Sequence, residues 1–380
     1  MIYSKKQNDL PIPKKEVRFI YWFAYYHLDS PSVRYRAKYP LEYLKSNYHI
    51  NSYFVIPGYS FYHIRVFLRA YFSALLFRKA GSLIVIQRIH SSFIYATLLK
   101  LLIRFRPSQT FYDLDDADYL EYPSKTIFHF IKHCSGVFVG SRELLNNLSK
   151  LNANVILNTS PVPELSINKS ERNATLTIGW IGDFTGGHKE SMMNCFFSAL
   201  NDLPFKIRLI LLGVGRRDQN DFIFLKEYFR PMEHIHLIMP SGIQWNDERA
   251  IQKHIREFDI GIATLLDNEL CISKSAFKVK QCLNNGVPVL SSDLPENKFF
   301  IQDGRNGFLC STPEEFRQRI IEISEMTNSE YIKLSAQAKL STRDFNLATY
   351  CRTLLTGKGQ TPGKALPARS NISELIEISI

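Results

Sequence analysis

Residues 273–293 read SKSAFKVKQCLNNGVPVLSSD. Lys274, Lys278 and Gln281 stand at i, i+4 and i+7, so a helix through them carries all three on one face. Ser273 or Ser275 is suited to cap that helix, aiming its first N–H groups and both lysines at one anion. Gly286 then allows a tight passage into VPVLSS (287–292), a short run of strand character. A cationic helix start beside a buried strand suits a phosphate. The bland alternative is a pair of lysines on a solvated face, and the rest of the chain must decide between them.

Strand-like runs alternate with helix-length segments throughout. The first half holds VRFIYWFAYY (17–26), INSYFVI (50–56), SLIVIQ (82–87), TFYDL (110–114), GVFVG (136–140) and NVIL (154–157). Helical patterns fall between them at about 37–47, 61–79, 92–104, 125–133 and 141–150. The alternation lapses at NTSPVPELSINKSERN (158–173). It restarts with ATLTIGWIG (174–182), KIRLILLG (206–213), HIHLIM (234–239) and DIGIATL (259–265). STPEEFRQRIIEI (311–323) opens as a helix does, with a hydroxyl cap, an early proline and two glutamates. Strands joined by helices make βαβ units and parallel sheets. The expected fold class is therefore α/β, with two Rossmann-like domains facing across a cleft. Residues 1–160 form the first domain, 161–173 a linker and 174–356 the second. The Gly/Pro-rich tail at 357–380 is expected to be unstructured.

A length of 380 residues suits two domains, and 45% hydrophobic with 22% charged residues excludes wholesale disorder. The net charge of +11 is carried entirely by residues 1–150, where 21 Lys and Arg face 10 Asp and Glu. The remainder has 26 of each sign. An anionic partner is expected for the first half. FYHIRVFLRAYFSALLFRKAG (61–81) mixes aromatics with Arg65, Arg69, Arg78 and Lys79. Part of it must pack on the sheet, and the rest suits an anionic membrane surface. No nucleic-acid motif is present, so nucleic acid is not an expected partner.

Six scattered cysteines without a CxxC pair fit neither a disulfide scaffold nor a zinc site, and suit a reducing compartment. MIYSKKQNDLPIPKK has no apolar run of signal-peptide length. FIYATLLKLLI (93–103) is about half a membrane span. The expected location is cytoplasmic, peripheral on the inner face of the membrane.

Ligands of a parallel sheet bind beyond its carboxyl ends. GWIGDFTGGHKE (179–190) places Gly182, Gly186, Gly187 and then Lys189 at such an end, and LLGVG (211–215) places Gly213 at another. Glycines let backbone N–H groups approach a phosphate, although the spacing is not that of a dinucleotide site.

Taken in order, the glycine-rich turn, Lys274, Phe277, Lys278, Gln281, Gly286, PVLSS and ENKFFIQDGRNGFLC (296–310) resemble the carboxyl-terminal domain of GT-B glycosyltransferases of the large retaining family four. SVRYRAKYPLEYL (32–44), VIQRIH (85–90), FYDLDDADY (111–119) and VFVGSRELLNNL (137–148) resemble, more loosely, members that build bacterial surface polysaccharides. The match spans roughly 17–325. It implies a retaining transfer of a sugar from a nucleotide-diphosphate donor to a glycan or lipid-linked acceptor, without a metal or other cofactor.

On this resemblance, Lys278 and Lys274 stabilise the leaving diphosphate. Gly182, Gly186, Gly187, Lys189, Gly213, Ser275 and Gln281 hold the donor. Arg34, Arg36, Arg88 and Asp116 serve the acceptor side, with Arg34 and Asp116 near the chemistry. The paired glutamates usual in the family fall here on Ser273 and Gln281; a glutamine can still hydrogen-bond a ribose.

Two other readings stay open. One is an inactive GT-B-like protein that binds glycans or partners, favoured by the missing carboxylates. The other is a metal-dependent GT-A enzyme using Asp113 and Asp115 of DLDD (113–116), since carboxylate oxygens suit Mg or Mn.

Overall fold

The computed structural model describes residues 17–360 apart from 25–26, 29, 57, 77–80, 90–91, 123–124, 164–168 and 170. Two six-stranded sheets, parallel at every pairing, organise them. The first contains β1 (Phe19–Ala24), β2 (Asn51–Val55), β3 (Ser82–Gln87), β4 (Thr110–Leu114), β5 (Gly136–Val139) and β6 (Val155–Leu157), in the order β2-β1-β3-β4-β5-β6. The second contains β7 (Thr177–Ile181), β8 (Ile207–Leu212), β9 (Ile235–Ile238), β10 (Ile260–Ala263), β11 (Val289–Ser292) and β12 (Gly307–Cys310), in the order β12-β11-β10-β7-β8-β9.

Strand order reverses between β1 and β3 in one sheet and between β7 and β10 in the other. Such reversals open a crevice at the strands' carboxyl ends, because the connecting helices leave toward opposite faces. The eleven strand-like runs seen in the sequence all became strands. β12 was quoted there only as part of a motif; its four residues follow Asp303–Gly304 too closely for a periodic signal.

Both faces of each sheet are covered, which explains the continuous apolar runs in place of alternation. In β1, Tyr21 and Phe23 pack under the helices Phe61–Leu76 and Phe93–Phe105. Ile20, Trp22 and Ala24 face the opposite layer. That layer includes Leu347, Tyr350, Cys351 and Leu354 of the last described helix, Leu347–Thr356. Residues 347–356 therefore pack on the first sheet, not in the second domain where the sequence reading put them. The apolar face of this helix fits the Trp22 side, and Tyr350 Oη donates to the carbonyl of Arg36 at 3.0 Å.

The start of the expected tail is also tied down, since Gln360 N donates to the carbonyl of Leu157 at 3.0 Å. Residues 361–380 lie outside the described residues, as does the amino-terminal stretch read for a signal peptide. The described part of the linker is pinned to the second half: Lys169 pairs with Asp259 at 2.9 Å, and Asn173 N donates to the same carboxylate. The helix Pro313–Glu325 starts as expected, with Thr312 Oγ1 accepting from Glu315 N.

No described helix is long and apolar enough to cross a membrane. All six cysteines are free thiols.

Candidate active site

The carboxyl ends of the two sheets face each other across a cleft of about 380 Å3. Both points of strand reversal open into it. Ser30–Ser32, Arg34 and Tyr35 arrive after β1, and Arg88 directly after β3. From the second sheet come Gly182 and Asp183 after β7, and Thr264 and Leu265 after β10. Lys274, Ser275, Lys278 and Gln281 line the same space.

The helix that opened the sequence reading begins later than expected. It runs Phe277–Asn284, and its N-cap is Ala276 in left-handed backbone (φ 49°), without a side-chain cap. Neither Ser273 nor Ser275 caps it. Ser273 ends the preceding turn Glu269–Ile272, its hydroxyl donating to the carbonyl of Glu269 at 3.0 Å. Lys274 is thus on the approach to the helix and Lys278 within it, yet both reach the cleft.

Lys278 Nζ stands over the Trp180 ring at 4.8 Å and lies 3.3 and 3.4 Å from the two ring nitrogens of His188. Gly182 makes room for it: a Cβ there would meet Nζ at 2.7 Å. Burial, and then the neighbouring Lys274, push the Lys278 ammonium down to about 7. Lys278, burial and Lys274 together hold the His188 imidazole well below its usual range. Lys274 is raised, chiefly by Asp116. Burial would raise the Asp116 carboxyl, but Lys274 and Arg88 outweigh it and keep the group ionised.

Arginines on the opposite wall are already engaged. Arg88, in left-handed backbone (φ 53°), sends Nε to Asp118 at 2.7 Å and Nη1 to Asp116 at 3.4 Å. Arg34 is buried on the cleft wall, with Nη1 donating to the carbonyl of Leu28 at 3.3 Å. Arg36 is not an acceptor-side residue. It lies fully buried beneath the floor, gripping Asp113 through Nε (2.9 Å) and Nη2 (2.6 Å) and the carbonyl of Asn158 through Nη1 (2.8 Å). The cause is local: Arg34–Lys38 form a π-helical turn, whose extra residue per turn sends successive side chains elsewhere than an α-helix would.

Four more donor-side expectations meet a different geometry. Lys189 points away and pairs with Asp221 at 2.7 Å, beneath the Phe224 ring. Gly186 and Gly187 open the short helix Gly186–Ser191 and do not line the cleft, although Thr185 and His188 beside them do. Gly213 stands behind Gly182; a Cβ there would fall 2.1 Å from the carbonyl oxygen of Gly182, so its absence lets the two turns touch.

Gln281 does line the cleft. Its Nε2 donates to Tyr35 Oη at 3.1 Å, and Tyr35 in turn donates to Glu248 at 2.6 Å. Tyr35 belongs to the first half and Glu248 to the second, so this chain of bonds ties the two halves together beside the cleft. Further ties between the halves are Ser141 Oγ to the carbonyl of Ser273 (2.6 Å), Arg142 to Glu296 (2.9 Å) and Lys280 Nζ to the carbonyl of Ser160 (2.9 Å).

His188, Trp180, Tyr35 and Glu248 were missed by sequence reasoning. His188 sat one position before the lysine chosen there, and only the helix register decides which of the two faces the cleft. The aspartates of DLDD are spoken for: Asp113 is buried against Arg36, and among the described residues no group of three metal-type side chains converges.

No family model and no curated protein sequence matches the chain. Solved structures do. A glycosyltransferase from Rickettsia africae matches with a TM-score of 0.62 at 15% identity, over 90% of this chain and 97% of that one. Sucrose-phosphate synthase from Thermosynechococcus elongatus matches with a TM-score of 0.63 at 10% identity, over 89% and 97%. HepE from Anabaena in complex with UDP and glucose matches with a TM-score of 0.60 at 13% identity, over 89% and 98%. The fold is GT-B, two Rossmann-like domains about one cleft, which removes the GT-A alternative.

Proposed function

We propose that the protein is a retaining glycosyltransferase that moves a sugar from a nucleotide-diphosphate donor to a glycan or lipid-linked acceptor in cell-surface polysaccharide synthesis. One observation carries the reading. Lys274 and Lys278 converge in the interdomain cleft at the strand reversal of the second sheet, where open α/β sheets bind nucleotides. HepE, similar in fold, was solved with UDP-glucose.

Lys278 and Lys274 would stabilise charge developing on the leaving diphosphate, the electrostatic contribution on which such a transfer depends. The carboxyl end of β7, with Gly182, and the β10 end would hold the phosphates and sugar. Gln281 would bind the ribose through its amide. Asp116 and Arg88, across the cleft, would face the acceptor. No metal is needed where lysines neutralise the diphosphate, so activity should survive chelation.

An inactive binder is the second reading. It is favoured by Ser273 and Gln281, which place no carboxylate where the family carries two. Turnover decides between them. Incubation with UDP-sugars, GDP-sugars and a membrane extract as acceptor source should yield a product of retained anomeric configuration by NMR, with EDTA present. Donor binding without any turnover would favour the binder, and an inverted product would overturn retention.

The acceptor side is proposed to rest on an anionic membrane. The helices Phe61–Leu76 and Phe93–Phe105 lie on one face of the first sheet and expose Phe61, Tyr62, Phe72, Leu76, Phe93, Ile94, Leu101 and Phe105. Arg65, Arg69 and Arg104 are exposed among them, and the sequence has no Asp or Glu between Glu42 and Asp113. Apolar side chains with only cations between them suit acidic headgroups. Co-flotation with vesicles containing phosphatidylglycerol, lost on Phe72→Ser with Phe105→Ser, would support this. Equal binding by the double variant would remove it.

A further inference from the structure

His188 is the one residue at the lysine site whose side chain could titrate near neutral pH in its unperturbed state. It is half-buried in the cleft wall, beside the helix start at Gly186 and against Lys278. Both ring nitrogens lie within 3.4 Å of Lys278 Nζ, so the imidazole can accept from the ammonium only through a nitrogen that carries no proton. Two cation-forming groups in contact, with a third cation (Lys274) close by, repel one another unless an anion separates them.

The nearby carboxylates are engaged by other cations and do not separate the pair. Lys274, Lys278, Cys271 and Cys282 face the pair from the segment 269–284. Asp183 approaches from the turn after β7 and Asp116 from the loop after β4. Asp183 is already held by Arg216 at 3.1 Å and by Arg217 at 3.2 Å. Asp116 is shared between Arg88 and Lys274. Lys189, next in sequence to His188, is turned away to Asp221.

We infer that His188 is a third diphosphate ligand, and that donor binding at this site takes up protons. This inference rests on the donor reading given above. In the empty site His188 accepts a hydrogen bond from Lys278. When a diphosphate enters, its oxygens take over as acceptors. Lys278 then donates to the anion, and the freed ring nitrogen gains a proton from solvent and donates as well. The only covalent changes are protonations, at His188 and, above about pH 7, at Lys278.

The sign follows directly. An anion favours the charged forms, so the bound state holds more protons than the free state between the free and bound pKa values of these groups. For Lys278 the free value is about 7. Diphosphate affinity should therefore fall as pH rises from about 6.5 to 8.5, by roughly tenfold for each proton whose uptake is required per pH unit.

The test is calorimetric titration of the full chain with UDP at pH 7.5, in buffers of different ionisation enthalpy, with affinities at pH 6.5 and 8.5. Wild type should take up a fractional proton and bind more tightly at pH 6.5. His188→Asn and His188→Gln keep a neutral donor of similar size but cannot take up a proton. Both should lower proton uptake and bind about tenfold more weakly at pH 6.5, approaching wild type at pH 8.5. Two differently placed amides guard against one of them failing to fold. Wild-type binding with unchanged proton uptake and unchanged pH dependence in both variants would overturn the role of His188, leaving the donor reading intact. No UDP, GDP, ADP or CMP binding by wild type at any pH would remove both.

Discussion

The two walls of the cleft hold their cations in opposite ways. On the first-domain side, Arg88 on the wall and Arg36 beneath the floor are each clamped by aspartates, Arg88 by Asp118 with Asp116 and Arg36 by Asp113. On the second-domain wall, Lys278 meets an aromatic ring, an imidazole and another lysine. Guanidinium groups offer a planar fork that matches carboxylates and keep their charge when buried, whereas a lysine ammonium adjusts its pKa to its surroundings. The arginines therefore build the first-domain side, Lys274 shares Asp116 with Arg88, and Lys278 waits for an anion. Cations at a cleft are informative only once their partners are known.

The contrast can be broken most severely at Arg36. Arg36→Ala leaves the fully buried Asp113 without its partner, and should cost about 3–5 kcal/mol of stability in urea unfolding. Lys278→Ala should not destabilise near neutral pH, because it removes a partly buried group that resists being charged. The pKa of Lys278 is about 7 folded and 10.5 unfolded, so the unfolded chain binds more protons between those limits. Stability contributed by this residue then rises with pH across that window, and thermal melts of Lys278→Ala should show a shallower rise than wild type.

A milder break is Gln281→Glu. It introduces the carboxylate that the resemblance would place there but sets it beside Glu248, with one Tyr35 hydroxyl proton for the two groups. Stability should fall by about 1–3 kcal/mol at pH 8, less at pH 5, in parallel melts. Lys189→Ala, removing a partly exposed pair with Asp221, should change stability by less than about 1 kcal/mol and leave nucleotide binding unchanged.

The fold was legible because twelve buried parallel strands need apolar runs and the helices between them need amphipathic ones. Domain membership of residues 347–356 was not, since an apolar helix face does not name the sheet it will cover. In the site, Gly182, Ser275, Lys274, Lys278, Gln281, Arg34, Arg88 and Asp116 were named from residue type, order and the family resemblance together, and all line the cleft. Lys189 and Arg36 went astray for a geometric reason. Each is one or two positions from a residue that does face the cleft, and helical rotation, altered by a π-turn at Arg34–Lys38, sends it elsewhere. The helix start was misplaced because Ala276 adopts left-handed backbone, which nothing about alanine suggests.

The central claim is that the lysine side of the cleft is a nucleoside-diphosphate site. It is tested most directly by thermal shift of wild type and Lys278→Ala with UDP, GDP, ADP and CMP, with and without manganese. A ligand at about 100 times its dissociation constant should add roughly 2.7 kcal/mol to the native state. The account predicts that one nucleotide stabilises wild type without metal, and that Lys278→Ala loses the response while melting no lower by itself. Equal stabilisation of both proteins, or of neither by any nucleotide, would contradict it.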